Sequence, residues 1–312
     1  MTAVTTSTEL GWQLSLAPAV RMTLHGFQAE FGGLPATVWR VPGTVTLLAS
    51  GPLRLTVAAP WSAVAAAGPG PDGIIEMVLM ERPGEHERVP AAAAAAGYGP
   101  VWAGRGLALA DGPAGDGQPA GYPGTRLLVR AELPDGAGAG LAGAVETSIG
   151  RCLGNPAARG PGAEHASGHA VLGSRPVPCD LAAAGLRLML IDTRVRRAPQ
   201  QAPAEDSPVT QAAAAMATGD FAALGALLSA ADEVHPGDGV QRAAVWAALR
   251  AGALGGRAVT DGPGRPVCVL VPASRIAAVR AAVGAEFAQS GARPPRCLTF
   301  TPAAGPDQPA PG

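Results

Sequence analysis

The 312-residue chain contains no lysine; its 23 basic residues are all arginine. A lysine nucleophile, a Schiff base and a phosphate-cradling lysine are thereby excluded. Charge of one sign is lacking too. The 23 basic residues stand against 24 acidic ones, for a formal charge of -1. That balance offers no electrostatic footprint for nucleic acid or for an anionic membrane. The four cysteines, Cys152, Cys179, Cys268 and Cys297, lie far apart with no Cys-x-x-Cys spacing. A zinc cluster or disulfide framework is not expected; four buried thiols in a reducing compartment are. Apolar runs are short or broken by Gly and Pro, well below the roughly 20 residues that cross a bilayer. Met1 to Leu16 shows no basic start followed by an apolar run, so no signal peptide is expected. These absences predict a cytoplasmic protein without a membrane or nucleic-acid partner.

Glycine (43) and proline (31) are abundant but concentrated. The segments 68–73, 111–121 and 155–162 read as loops, 200–208 as a linker or turn, and 302–312 as a disordered tail. Between them lie apolar stretches with strand character: 36–41, 45–48, 53–57, 74–79, 126–130, 186–191 and 267–271. Helices are expected over 141–153, 209–217, 221–231, 240–251 and 274–289. In the last, Ile276, Val279, Val283 and Phe287 form one apolar stripe. Strands dominate early and helices late, which predicts an α+β fold in two parts.

Three segments carry motif-like spacing. Pro42-Gly43-Thr44-Val45-Thr46-Leu47 is followed by Ser50-Gly51-Pro52-Leu53-Arg54. The run from Leu133 through Gly136-Ala137-Gly138-Ala139-Gly140 to Glu146 follows a strand and opens a helix. Such a loop either aims backbone N–H groups and a helix N-terminus at phosphate or is a plain strand-to-helix turn. Gly252 to Val271 holds Gly255, Arg257 and Gly262 ahead of Pro263-Gly264-Arg265-Pro266 and an apolar strand.

In this order the three segments resemble the signatures of the galactokinases, in the GHMP kinase family. The first resembles Pro-Gly-Arg-Val-Asn-Leu-Ile-Gly-Glu-His-x-Asp-Tyr, the second Leu-Pro-x-Gly-Ala-Gly-Leu-Ser-Ser-Ser-Ala-Ala-Leu-Glu. Phe27 to Pro35, Gly168 to Leu172, Arg175 to Arg197 and Thr218 to Ser229 fit as well, so the likeness spans about residues 20 to 300. It implies a two-domain GHMP-kinase-like fold: an N-terminal α+β domain over 1–180 and a ferredoxin-like C-terminal domain over 181–301. It also implies ATP and magnesium as cofactors, a sugar or other small alcohol as ligand, and Gly136, Ala137, Gly138, Ala139 and Gly140 as the nucleotide-binding loop. No metal-ligating residue is assigned.

The chemistry departs from that family. Thr44 stands where the catalytic Arg is, and Ser50 to Arg54 replaces the sugar-binding Glu-His-x-Asp-Tyr. Gly140-Leu141-Ala142 replaces three serines. Prolines 263 and 266 rigidify a glycine bend and remove N–H donors. The nearest counterpart of the catalytic carboxylate is Glu164, in a middle region shorter than the family's. His165 and His169 read as surface or locally bonded residues, and Arg194-Val195-Arg196-Arg197 as a solvated strand end. The losses fall on the chemistry while the packing segments persist. They predict a galactokinase-like protein that is catalytically impaired or repurposed for binding or regulation. The alternative is a divergent ATP-dependent kinase of galactose or another small alcohol.

Overall fold

The computed structural model describes residues 16–82, 84–96, 98–103, 106–107, 124–132, 136–154, 165–196, 208–234, 237–259 and 264–309. Helix α1 (Pro18–Phe31) starts with Pro at its first turn and ends at Gly32, whose φ of 79° closes it in the left-handed region. Its buried positions, Ala19, Val20, Thr23, Leu24 and Phe27, recur every three or four residues. Two long strands follow, β1 (Thr37–Ser50) and β2 (Leu53–Pro69). Ser50 pairs with Leu53, so Gly51-Pro52 is a two-residue hairpin loop. Gly51 has the positive φ (54°) that such loops require. The segment standing in place of the family's Glu-His-x-Asp-Tyr is therefore a tight turn.

The two strands expected over 36–48 are one. Pro42 lies within β1, opposite Ser62, and the register shifts between Pro42 and Thr44. A bulge at this point accommodates a residue without an N–H. On its other edge β2 pairs with β5 (Thr125–Ala131) and with β6 (His169–Leu172). Strands β3 (Ile74–Leu79), β4 (His86–Pro90) and β7 (Arg175–Pro178) extend this seven-stranded sheet in the order β4-β3-β5-β2-β6-β7, with β1 beside β2. A short helix, α2 (Ala91–Ala95), follows β4. Alternate residues of β2 face opposite layers. Ala63, Ala65 and Ala67 join a core with helix α3 (Leu141–Cys152), while Val64 and Ala66 pack with α1.

The second sheet is antiparallel throughout, in the order β11-β8-β10-β9, from β8 (Leu186–Asp192), β9 (Gly255–Ala258), β10 (Val267–Pro272) and β11 (Arg296–Phe300). Helices α4 (Val209–Thr218), α5 (Phe221–Val234) and α6 (Gly239–Arg250) lie between β8 and β9, and α7 (Ile276–Gln289) between β10 and β11. With the α4–α6 segment taken as one crossover, this is the β-α-β-β-α-β order of a ferredoxin-like unit. Met189, Ile191, Val267, Val269 and Val271 face α6 and α7. The opposite face, with Leu188, Leu190, Cys268 and Leu270, belongs to the core that also holds residues of the first sheet.

Two expectations need correction. Residues 302–309 are ordered against the first sheet rather than disordered. Ala303 N–H donates to the Ala58 carbonyl, Gly305 N–H to that of His165, and Asp307 bridges to Arg40 through backbone and side chain. These bonds satisfy polar groups that strand edges otherwise leave open. Among the thiols, Cys152, Cys179 and Cys268 are buried, but Cys297, on the edge strand β11, is only half-buried.

Candidate functional site

The glycine loop enters α3 through three residues in the left-handed region: Gly136 at φ 77°, Gly138 at 92° and Gly140 at 58°. Glycine is the residue that takes such values freely. The loop lies tightly against four other segments. A Cβ on Gly136 would meet the Arg196 side chain at 2.8 Å, and one on Gly138 would meet the Pro266 ring at 2.4 Å and Leu190 at 3.3 Å. A Cβ on Gly140 would meet the Thr44 carbonyl at 2.6 Å. The approach is mutual, for a Cβ on Gly43 would lie 2.0 Å from the Ala139 carbonyl oxygen, and one on Gly264 would lie 1.7 Å from that of Gly136. Ala137 and Ala139 are buried, whereas Gly140 and Ala142 are exposed. All three motif segments thus converge on one place, where residues 136–139 are packed by the chain itself.

Beside the loop stands Asp192, fully buried at the end of β8. It accepts a hydrogen bond from the Arg194 N–H at 2.8 Å and a two-pronged contact from the Arg196 guanidinium at 2.8 and 3.2 Å. Arg296 adds a charge at 3.7 Å. Burial alone would raise the Asp192 carboxyl. The Arg196 hydrogen bonds, the Arg194 N–H and the two guanidinium charges outweigh it and hold the group below its ordinary value. Arg194 is the one non-glycine residue with positive φ among the described residues, at 61°. Arg196 pairs with Gly264 as an isolated bridge. The Thr193 hydroxyl donates to the Arg265 carbonyl at 2.8 Å. Arg194 and Arg196 are exposed, as expected of a solvated strand end, but Arg196 has a second role there. Arg196 is committed to Asp192 and lies under the glycine loop.

Arg257, the arginine of the third motif, is 3 % exposed. Its Nη1 donates to the Leu47 carbonyl of β1 at 3.3 Å and its Nε to the Ala258 carbonyl at 3.1 Å, so it ties β9 to the first sheet. Nearby, Asp232 accepts the Ala258 N–H at 2.7 Å. Burial pushes the Asp232 carboxyl up, against that hydrogen bond and the charges of Arg257 and Arg242.

Glu164, the expected catalytic carboxylate, lies outside the described residues, as do Leu133, Pro134, Arg197, Gly262 and Pro263. Its neighbour His165 is buried, with Nε2 3.2 Å from the Thr56 hydroxyl and 3.1 Å from the Thr56 carbonyl. His169 is bonded locally to the Ser167 carbonyl. Among the described residues no three His, Cys, Asp or Glu side chains gather as metal ligands would. No helix there is long and apolar enough to cross a membrane. The contacts of Arg196 and Pro266 with the loop escape sequence reasoning, because they join segments far apart in the chain. The only sequence signal is a proline and an arginine near positions where a glycine bend is expected.

No protein-family model matches the chain. The galactokinase of Streptomyces coelicolor is 25% identical, with 89% of this chain and 96% of that protein covered. The match runs over 374 positions, more than the 312 residues of this chain, so segments of that relative are missing here. Among solved structures, Lactococcus lactis galactokinase complexed with galactose superposes with a TM-score of 0.74 at 14% identity, over 92% of this chain and 99% of that one. The chain has the GHMP-kinase fold and is similar to galactokinases. A mevalonate kinase structure superposes at 0.58 (8% identity, 86% of this chain and 100% of that one) and Methanococcus jannaschii mevalonate kinase at 0.57 (10% identity, 85% and 98%).

Proposed function

We propose that this galactokinase-like protein does not phosphorylate galactose and that its fold serves a binding or regulatory role. One observation carries the reading: residues 136–139 are packed against Arg196, Gly264, Pro266 and Leu190 of the chain itself. Phosphoryl transfer needs donors on the phosphates, a magnesium site and a carboxylate near the attacking hydroxyl. The hydroxyl positions of the loop are Gly140, Leu141 and Ala142, and no lysine is available. An ATP–magnesium pair held in the family's manner does not fit a loop whose inner face is already filled by Pro266 and Arg196. The buried His165 is held against Thr56 of β2 through Nε2.

The test is a coupled ADP-release assay with galactose and a panel of sugars and small alcohols. It is paired with thermal melts in ATP–magnesium and in each sugar. We expect no ADP release above the protein-free rate and no shift of the midpoint with ATP–magnesium. A ligand that binds only the native state must raise that midpoint. Turnover with any acceptor, abolished by Glu164→Ala, would overturn the reading in favour of a divergent small-molecule kinase.

A further inference from the structure

A groove lies on the outer side of the second sheet, between α6 and α7. It encloses about 320 Å³ and is lined by Gly239, Arg242, Ala243, Trp246 and Arg250 of α6 and Glu286 of α7. The sheet face under these helices carries Met189 and Ile191, whereas Leu190, on the other face, lies beside Gly138. The groove is therefore across the sheet from the glycine loop, and nothing about the kinase likeness concerns it.

The core-facing positions of α6 are Gln241, Ala244, Val245, Ala247 and Ala248. Trp246 is not among them and is 66% exposed. The exposed indole offers a flat apolar surface that a ring can cover with a gain of buried area. Positions 242, 246 and 250 are successive turns of one helix face. Gly239 and Ala243 are small and keep the space beside the ring open. The two guanidiniums differ. Arg250 is paired with Glu286 at 3.0 Å. Arg242 makes no ion pair or side-chain hydrogen bond among the described residues, although its charge helps to hold down the buried Asp232 carboxyl.

We propose that this groove binds a small organic monophosphate, its ring stacked on Trp246 and its phosphate held by Arg242. A planar guanidinium suits a phosphate, and an exposed indole suits a flat ring or the apolar face of a sugar. Glu286 sets the limit of the site. It repels a second anion at the Arg250 end and accepts hydroxyl protons there. A nucleoside monophosphate and a hexose monophosphate both meet this description.

The full-length protein is titrated at low salt with adenosine monophosphate, with a hexose monophosphate and with inorganic phosphate, following tryptophan emission. Saturable quenching by either organic phosphate is expected, and the tighter of the two names the source of the ring. Inorganic phosphate, which cannot stack, binds at least about tenfold more weakly. Arg242→Gln weakens the organic phosphate by about tenfold, as loss of a charge-assisted hydrogen bond requires. Trp246→Ala, followed by calorimetry, weakens it comparably. Both side chains are exposed, so both variants keep the wild-type melting midpoint. The proposal fails if neither organic phosphate gives saturable quenching. It also fails if Arg242→Gln binds as the wild type does, or if inorganic phosphate binds as tightly as the organic ones.

Discussion

Gly138 has two independent reasons to be glycine. Its φ of 92° is a conformation that side-chain-bearing residues rarely adopt, and its Cβ position is taken by the Pro266 ring. Gly154 has only the first reason, a φ of 89° with nothing within 4 Å of its Cβ position. The pair separates backbone strain from crowding. Gly154→Ala is expected to cost about 1–2 kcal/mol, the penalty of the left-handed region. Gly138→Ala should add about 1–3 kcal/mol for forcing an extra carbon into packed space. Urea denaturation of both variants measures the difference. Equal losses would mean that the junction yields easily and that the loop is not held by its neighbours. The sequence already marked Gly136, Gly138 and Gly140 as a glycine loop. Pro266 as the partner of Gly138 was not legible, because no local pattern encodes a contact between residues more than a hundred positions apart.

At the scale of elements, hydrophobic periodicity served where side chains were large. The apolar stripe of α7 and the short apolar runs of β3, β5, β8 and β10 were readable. The second half of β2 was not, because Ala58, Ala59, Ala63, Ala65, Ala66 and Ala67 have little strand preference. Tertiary pairing makes that segment a strand: it needs small residues to admit α3 on one side and α1 on the other. Helix α1 carries signals, a proline near its start and a glycine at its end, but it is not among the expected helices, and only Phe27 onward enters the galactokinase likeness.

The end of β8 offers an element-level prediction. Asp192 fixes the turn that leaves the strand, holding Arg194 and Arg196 and, at longer range, Arg296 from β11. Its folded-state carboxyl is held below the ordinary aspartate value. The folded state therefore releases this proton more readily than the unfolded chain does. The stabilisation is complete above the unfolded pKa of about 3.9 and is lost as pH falls below it. Asp232, pushed up by burial, acts in the opposite sense and weakens the fold as pH rises through its titration. The Asp192 contribution is isolated by comparing the wild type with Asp192→Asn. At pH 7 the variant is expected to be less stable by about 1–3 kcal/mol, since it leaves a guanidinium with a poorer acceptor. The gap should narrow as pH falls below the unfolded value of about 3.9 and the wild-type carboxylate takes up its proton. A gap independent of pH would show that Asp192 acts through shape rather than charge.

At the scale of the whole molecule, one hydrophobic cluster runs from Val41 and Leu47 of β1 through α3, α4 and α5 to Leu270 and Phe300 of the second sheet. Trp61 and Phe300 meet edge to face, with ring centroids 5.4 Å apart, at this seam. Buried Arg257 crosses the same seam to the Leu47 carbonyl. The segment after β11 returns from the second sheet to the first and closes the circuit. Ala303 reaches Ala58, Gly305 reaches His165, and Asp307 reaches Arg40. Its proline-rich composition suggested disorder, because such sequences have little apolar surface to bury. What orders it instead is backbone pairing with open edges, which composition does not reveal. Truncation after Thr301 removes these bonds while leaving both sheets intact. Five backbone hydrogen bonds tie residues 302–307 to the rest of the chain, and at about 1 kcal/mol each they predict a loss of up to about 5 kcal/mol. The exposed ion pair to Arg40 adds little. Such a loss lowers the melting midpoint of a chain this size by several degrees, with the transition still cooperative because the shared core is untouched. Two separated transitions in the truncated protein would mean that the returning segment, rather than the common core, binds the two sheets into one unit.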